Sequence, residues 1–132
     1  MNDRGAVTSL MMATLALVAL LCLAFADAAN VLLARSRAQT AADAAALTAA
    51  VEQWPFLGGG SDPPTAARRM AEANGAELEL CECPLRGSRA DVEVSVPTRV
   101  RLLGAAPRRV TAVASASVDP GALFREPTGS GP

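Results

Sequence analysis

GAVTSLMMATLALVALLCLAFA, residues 5–26, is an uncharged apolar run that begins four residues into the chain, and its continuation beyond Ala26 decides the fold. The run does not close on a turn. It passes through Asp27 and Asn30 into VLLARSRAQTAADAAALTAAVEQ, residues 31–53, with no Pro or Gly before Pro55. Alanine is the best helix former, so one uninterrupted helix is expected over residues 6–53. At ~1.5 Å of rise per residue such a rod is roughly 70 Å long, about twice what a ~30 Å hydrocarbon layer needs. The expected object is a stalk. A short N-terminal leader (residues 1–5) precedes a transmembrane helix (6–30), and residues 31–54 extend the same helix into water.

Two uses of the apolar run compete. Ala24-Phe25-Ala26 offers a small-x-small cleavage site with Arg4 in front of the run, which is the pattern of a secretory signal and would release a small secreted binding protein. A signal h-region is typically ~7–15 residues, whereas this run approaches the ~20 that span a bilayer. Its continuation as helix also favours retention over cleavage after Ala26. Arg4 on one side and Arg35 and Arg37 on the other give no clear orientation by the positive-inside rule. Cys22, inside the run, reads as a small hydrophobe. Asp27 and Asn30 stand where the helix should leave the lipid, and that interfacial position accounts for both without special chemistry.

In the extension, Ala34, Ala38, Ala42, Ala46 and Ala50 recur at four-residue spacing, with Ala41, Ala45 and Ala49 beside them. Residues four apart share a helix face, so this surface is smooth and lets another backbone approach closely. It serves helix propensity alone, or packing against neighbouring subunits or against the chain's own head. Arg35, Gln39 and Asp43 form a polar row that reads as a solvated side.

Of the 132 residues, the helix leaves about 75 for a separate globule, near the lower limit for an independent core. Trp54-Pro55 ends the rod, and residues 55–64 form a Gly/Pro linker, read as a flexible turn. The Gly58-Gly59-Gly60-Ser61 stretch lacks the Lys-Ser/Thr ending of a phosphate loop. A small α+β head is expected over 65–119. Asp62 caps a second helix that starts with Pro63 and stops at Gly75, with Ala66, Ala67, Met70 and Ala73 on its apolar face and Arg68, Arg69 and Glu72 opposite.

Period two then takes over. Leu78 and Leu80 alternate with Glu77, Glu79 and Glu82, and Val92, Val94 and Val96 with Asp91, Glu93 and Ser95. Val100 and Leu102 follow Pro97, and Val110, Ala112, Ala114, Ala116 and Val118 alternate with Arg109, Thr111 and Ser115. Turns at 84–90 and 104–108 make this a three-stranded antiparallel meander, whose apolar face the second helix is nearest to cover. The tail, 120–132, is turn-rich and expected to be mobile. The fold class is therefore α+β: a long N-terminal helix, transmembrane and then solvent-exposed, a second short helix and a small three-stranded antiparallel sheet.

Cys81 and Cys83, two apart on a strand, point to one face with Cα atoms near ~7 Å, so a disulfide between them requires a local bend; free or intermolecular thiols are the other reading. Without His, the chain lacks the commonest general base and metal ligand, and its twelve basic residues are all Arg against a net charge of −1. Asp27, Asp43 and the Glu77, Glu79 and Glu82 set are dispersed. The expectation is no enzyme, no cofactor or metal, no nucleic acid and no small-molecule substrate.

The segment Asp3-Arg4-Gly5-Ala6-Val7-Thr8, the apolar run, and Arg37-Ala38-Gln39-Thr40-Ala41-Ala42-Asp43-Ala44-Ala45-Ala46-Leu47 resemble the N-terminal half of TadE/TadG-like Flp pilus-assembly proteins. Ala73-Asn74-Gly75-Ala76, Cys81, the alternating valines and the Val110-to-Val118 strand resemble a short actinobacterial branch, the helicase/secretion-neighbourhood TadE-like family. The resemblance implies a pseudopilin-like component of a pilus or secretion apparatus, single-pass in the bacterial cytoplasmic membrane, with its C-terminal head extracytoplasmic. It implies other pilin-like or Tad secretion components as partners. It also places prepilin processing between Gly5 and Ala6, although Leu10 stands where cleaved pilins usually carry Glu.

Overall fold

The computed structural model describes residues 3–98, 108–119 and 121–122, with side chains of the first helix from Val7 onward. Helix α1 (Asp3–Glu52) is unbroken over 50 residues, about 75 Å at ~1.5 Å per residue. Helix α2 (Pro63–Ala73) comes next, and then strands β1 (Glu77–Glu82), β2 (Ala90–Thr98) and β3 (Arg108–Ala116). The sheet is an antiparallel meander in the order β1-β2-β3. This is the expected α+β architecture.

The cover on the sheet differs from the expectation. The apolar face of β2 and β3 packs mainly on α1 itself, while α2 lies between α1 and the β1 side. Ala38, Ala41, Ala42, Ala45, Ala49 and Ala50 are fully buried in one core with Val92, Val94, Val96 and Ala114. Methyl-sized side chains let the sheet settle close to the helix, and the branched valines of the strands then fill the gap. Each buried valine contributes about 1.5–3 kcal/mol of transfer free energy.

Helix α2 starts as its sequence dictates. The Asp62 carboxylate accepts from the Thr65 amide at 3.3 Å, and Pro63 occupies the first turn, where a missing N–H costs nothing. Its buried face is Pro63, Ala66, Ala67 and Ala71, with Met70 half-buried; Ala73, expected on that face, is exposed. Helix α2 packs chiefly on α1 and less on β1. Gly75, at φ +73°, makes the left-handed step from α2 into β1.

A bulge in β1 overturns the simple alternation. Leu78 pairs with Val94 on the core face, but the register slips between Leu78 and Leu80, so Leu80 pairs with Glu93 on the outer face and is 51% exposed. One extra residue flips every later side chain of the strand. Cys81, opposite Val92, thereby turns toward the core.

The 55–64 segment is not a free turn. Glu52 accepts from the amides of Gly59 (2.8 Å) and Ser61 (3.0 Å), drawing the glycine stretch back over the end of α1. A Cβ at Gly58 would lie 2.5 Å from Glu52 Oε2 and 2.9 Å from its Cα, so the close approach demands glycine there. Val100, Leu102, most of the 104–108 turn and nearly all of the 120–132 tail lie outside the described residues.

Candidate functional site

Helix α1 presents two surfaces of opposite character. Residues 7–26 are each exposed, and they include Leu10, Met11, Leu15, Leu17, Leu20 and Phe25. A helix apolar on all sides needs an apolar solvent, and this one is long and apolar enough to cross a membrane. Gly5 and Ala6 fall within the helical backbone, which begins at Asp3. Cys22 is exposed among the apolar residues.

Beyond that segment one face of α1 is closed. Ala34, Ala38, Ala42, Ala46 and Ala50 are all buried, the least covered being Ala34 at 6% exposure, and the chain's own head covers them. That row therefore has no surface left for a neighbouring subunit. Flanking that row, Arg35, Gln39 and Asp43 lie in the open, with Gln39 Nε2 donating to Asp43 Oδ1 at 3.1 Å. Leu32, Leu33, Leu47, Val51 and Phe56 are exposed apolar residues on the extension and just past its end. Asp27, expected at the level where the helix leaves the lipid, is buried at 7% exposure.

At the far end of α1 a polar residue joins rod to head. Gln53 is completely buried; its carbonyl accepts from the Arg86 amide at 2.9 Å and its Nε2 donates to the Arg89 carbonyl at 2.8 Å. The loop between β1 and β2 is thus tied to the helix end. Arg86 sits at φ 58°, and a Cβ on Gly87 would meet Pro84 at 2.8 Å and Gln53 Nε2 at 3.0 Å. In the sequence Gln53 is merely the last residue before Trp54-Pro55. Nothing in its spacing signals burial.

Cys81 and Cys83 form a disulfide with their Cα atoms 5.4 Å apart. Strand β1 ends at Glu82, and the bend there brings the two closer than the ~7 Å of an extended strand. The bridge closes the chain just before the loop that Gln53 holds.

The outer sheet face is a ladder of charge pairs. Arg109 Nη2 meets Glu77 at 2.5 Å and Nη1 meets Glu79 at 2.7 Å, over the buried Ser95 hydroxyl, which donates to Glu79. The Ser95 hydrogen bond, then Arg109, hold the Glu79 carboxyl below its ordinary value; Glu77 first, then Glu79, hold Arg109 more firmly protonated. At the other end Ser115 donates to Asp91, and Arg89 approaches the same carboxylate at 2.9 Å. These contacts, Ser115 foremost, hold the Asp91 carboxyl low as well. Glu77, Glu79 and Asp91 are thus spent on cross-strand pairing, which leaves the α1 rod as the candidate functional surface.

Comparison with known proteins agrees with that emphasis. Residues 5–52 match the family model described as putative Flp pilus-assembly TadE/G-like. The match covers nearly all of α1 and ends where the chain turns into the head, so the similarity resides in the rod. No curated protein and no solved structure matches the chain.

Proposed function

We propose that this chain, whose rod is similar to TadE/G-like pilus-assembly segments, is a membrane-anchored, pseudopilin-like component of a Flp/Tad-type pilus or secretion system that acts by assembly and not by catalysis. The observation that carries the proposal is the continuity of α1. One helix holds an exposed apolar segment at its start and the packed head at its end. The apolar segment crosses the cytoplasmic membrane once, and the head stands on the extracytoplasmic side, an orientation taken from the family resemblance and not from charge. The head, with its Ala73-to-Ala76 junction, Cys81 and valine strand, supports placement in the short actinobacterial branch.

The alanine row is occupied by the head, so contacts with other pilin-like or secretion components run along the surfaces of α1 that stay open. These are the apolar helix within the membrane and Leu32, Leu33, Leu47 and Val51 beyond it. Leu10 supplies no carboxylate to meet a new N-terminal amine, which favours a membrane-resident assembly factor over a polymerised subunit.

One observation favours a second reading. Every alanine that α1 contributes to the core lies at or beyond Ala34, so cleavage after Ala26 would leave the head whole and release a small secreted binding protein. Intact-mass measurement on membrane and medium fractions separates the two. Membrane-bound chain that is uncut, or shorter by five residues, supports the anchor; soluble chain beginning at Asp27 overturns it.

A further inference from the structure

Where α1 leaves the apolar run, the structure holds a cavity of about 370 Å³ between the helix and the ends of β2 and β3. Its walls include Val31 and Arg35 from α1, Thr98 from β2, and Arg108 and Thr111 from β3. Arg35 and Arg108 are exposed, and neither has an ion-pair partner among the described residues. Of the nearby acids, Asp27 is buried one turn before Val31, Asp43 accepts from Gln39, and Glu77 and Glu79 pair with Arg109, which also lines the cavity and is thereby neutralised. Two unpaired guanidinium forks, Arg35 and Arg108, beside one opening make a donor-rich lining suited to a phosphate.

Position along the rod selects the source of that phosphate. If residues 7–26 span the ~30 Å core, then Val31 and Arg35 lie roughly 8–14 Å above its edge at ~1.5 Å per residue, at and just beyond the headgroup layer. Helix side chains lean toward the N-terminus, so Arg35 leans back toward the lipid. Arg37, on the other side of the covered alanine face, lines a second opening with Asn30 and Thr98 at the same level.

We infer that the cavity bounded by Val31, Arg35, Thr98 and Arg108 seats the phosphate of an anionic phospholipid headgroup. The site fixes the height of the head above the bilayer and resists rotation of the rod. This inference rests on the reading of α1 as a membrane anchor, and its test separates the two.

The full chain is reconstituted into nanodiscs of phosphatidylcholine alone or with phosphatidylglycerol, and lipid retained after release is counted by native mass spectrometry. Phosphatidylglycerol should be retained above its bulk share, and Arg35→Gln or Arg108→Gln should each lower that retention roughly fivefold, while Arg68→Gln on α2, an equal loss of charge away from the site, leaves it unchanged. Unaltered thermal unfolding of the variants shows that the head is intact, and Arg35→Lys should restore part of the loss. Incorporation without enrichment overturns the headgroup site and leaves the anchor standing. Equal losses at all three arginines overturn it as well, because general charge attraction would then suffice. Complete displacement by inorganic phosphate makes the ligand a free anion and overturns the lipid assignment. Failure to enter either nanodisc overturns the anchor and the site together.

Discussion

Gln53 and Glu52 carry more of the architecture than their positions in the chain suggest. Gln53 Nε2 and carbonyl hold the β1–β2 loop, and Glu52 holds the glycine loop. Gln53→Ala should cost about 1–3 kcal/mol, because truncation empties a fully buried position and takes the Nε2 donor from the Arg89 carbonyl, while the backbone bond to the Arg86 amide remains. Denaturant unfolding of the head measures it. Gly58→Ala should cost about 1–3 kcal/mol through the overlap with Glu52, and Glu52→Ala in the same chain should relieve part of that loss. The carboxylates of Glu79 and Asp91 predict the acid response. Both are held below their ordinary values of 4.5 and 3.8 in the folded chain, so their contribution is present above those values and is lost as pH falls through the lower folded values. Head stability should be flat from neutral pH down to about 5 and decline below about 4.5, and Arg109→Gln should flatten that decline. A decline already under way at pH 6 would contradict the assignment.

At the scale of elements, the alanine face of α1 is a docking track for the chain's own sheet. Ala42→Leu with Ala46→Leu places extra methylenes in a core where both side chains are almost wholly covered. Overpacking of this kind costs about 1–3 kcal/mol per site, so the head should loosen, with faster amide exchange in β2 and β3. A loss of partner binding with the head unaltered would contradict this placement. The Cys81–Cys83 bridge encloses one intervening residue, and so short a loop removes little entropy from the unfolded chain. Cys81→Ala with Cys83→Ala should lower stability by about 1–2 kcal/mol, less than native bridges over longer loops. Chemical denaturation of the two forms gives the difference directly.

For the whole molecule, the functional surface is what folding leaves open. A photo-reactive residue at Leu47, which is 60% exposed, should capture a neighbouring component in cells that make the apparatus, whereas one at Ala42 should capture only the chain's own head. Capture from Ala42 but not from Leu47 would reverse the assignment of inner and outer faces. The rod was legible in the sequence because its signals are local: an unbroken apolar run, alanine at helical spacing and a Pro-Gly stop. The strands and α2 were equally legible from period two, from Asp62 with Pro63, and from Gly75.

The sequence by itself therefore determined the elements, their order and the similarity of residues 5–52 to pilus-assembly segments, since propensity and hydrophobic period act over a few neighbouring residues. Only the tertiary structure decided which surface closes. The bulge after Leu78 turned Leu80 outward and Cys81 inward, the sheet chose α1 over α2 as its cover, and Gln53 became a buried tie. Each of those outcomes depends on contacts between residues far apart in the chain, where packing and hydrogen-bond satisfaction outweigh local preference.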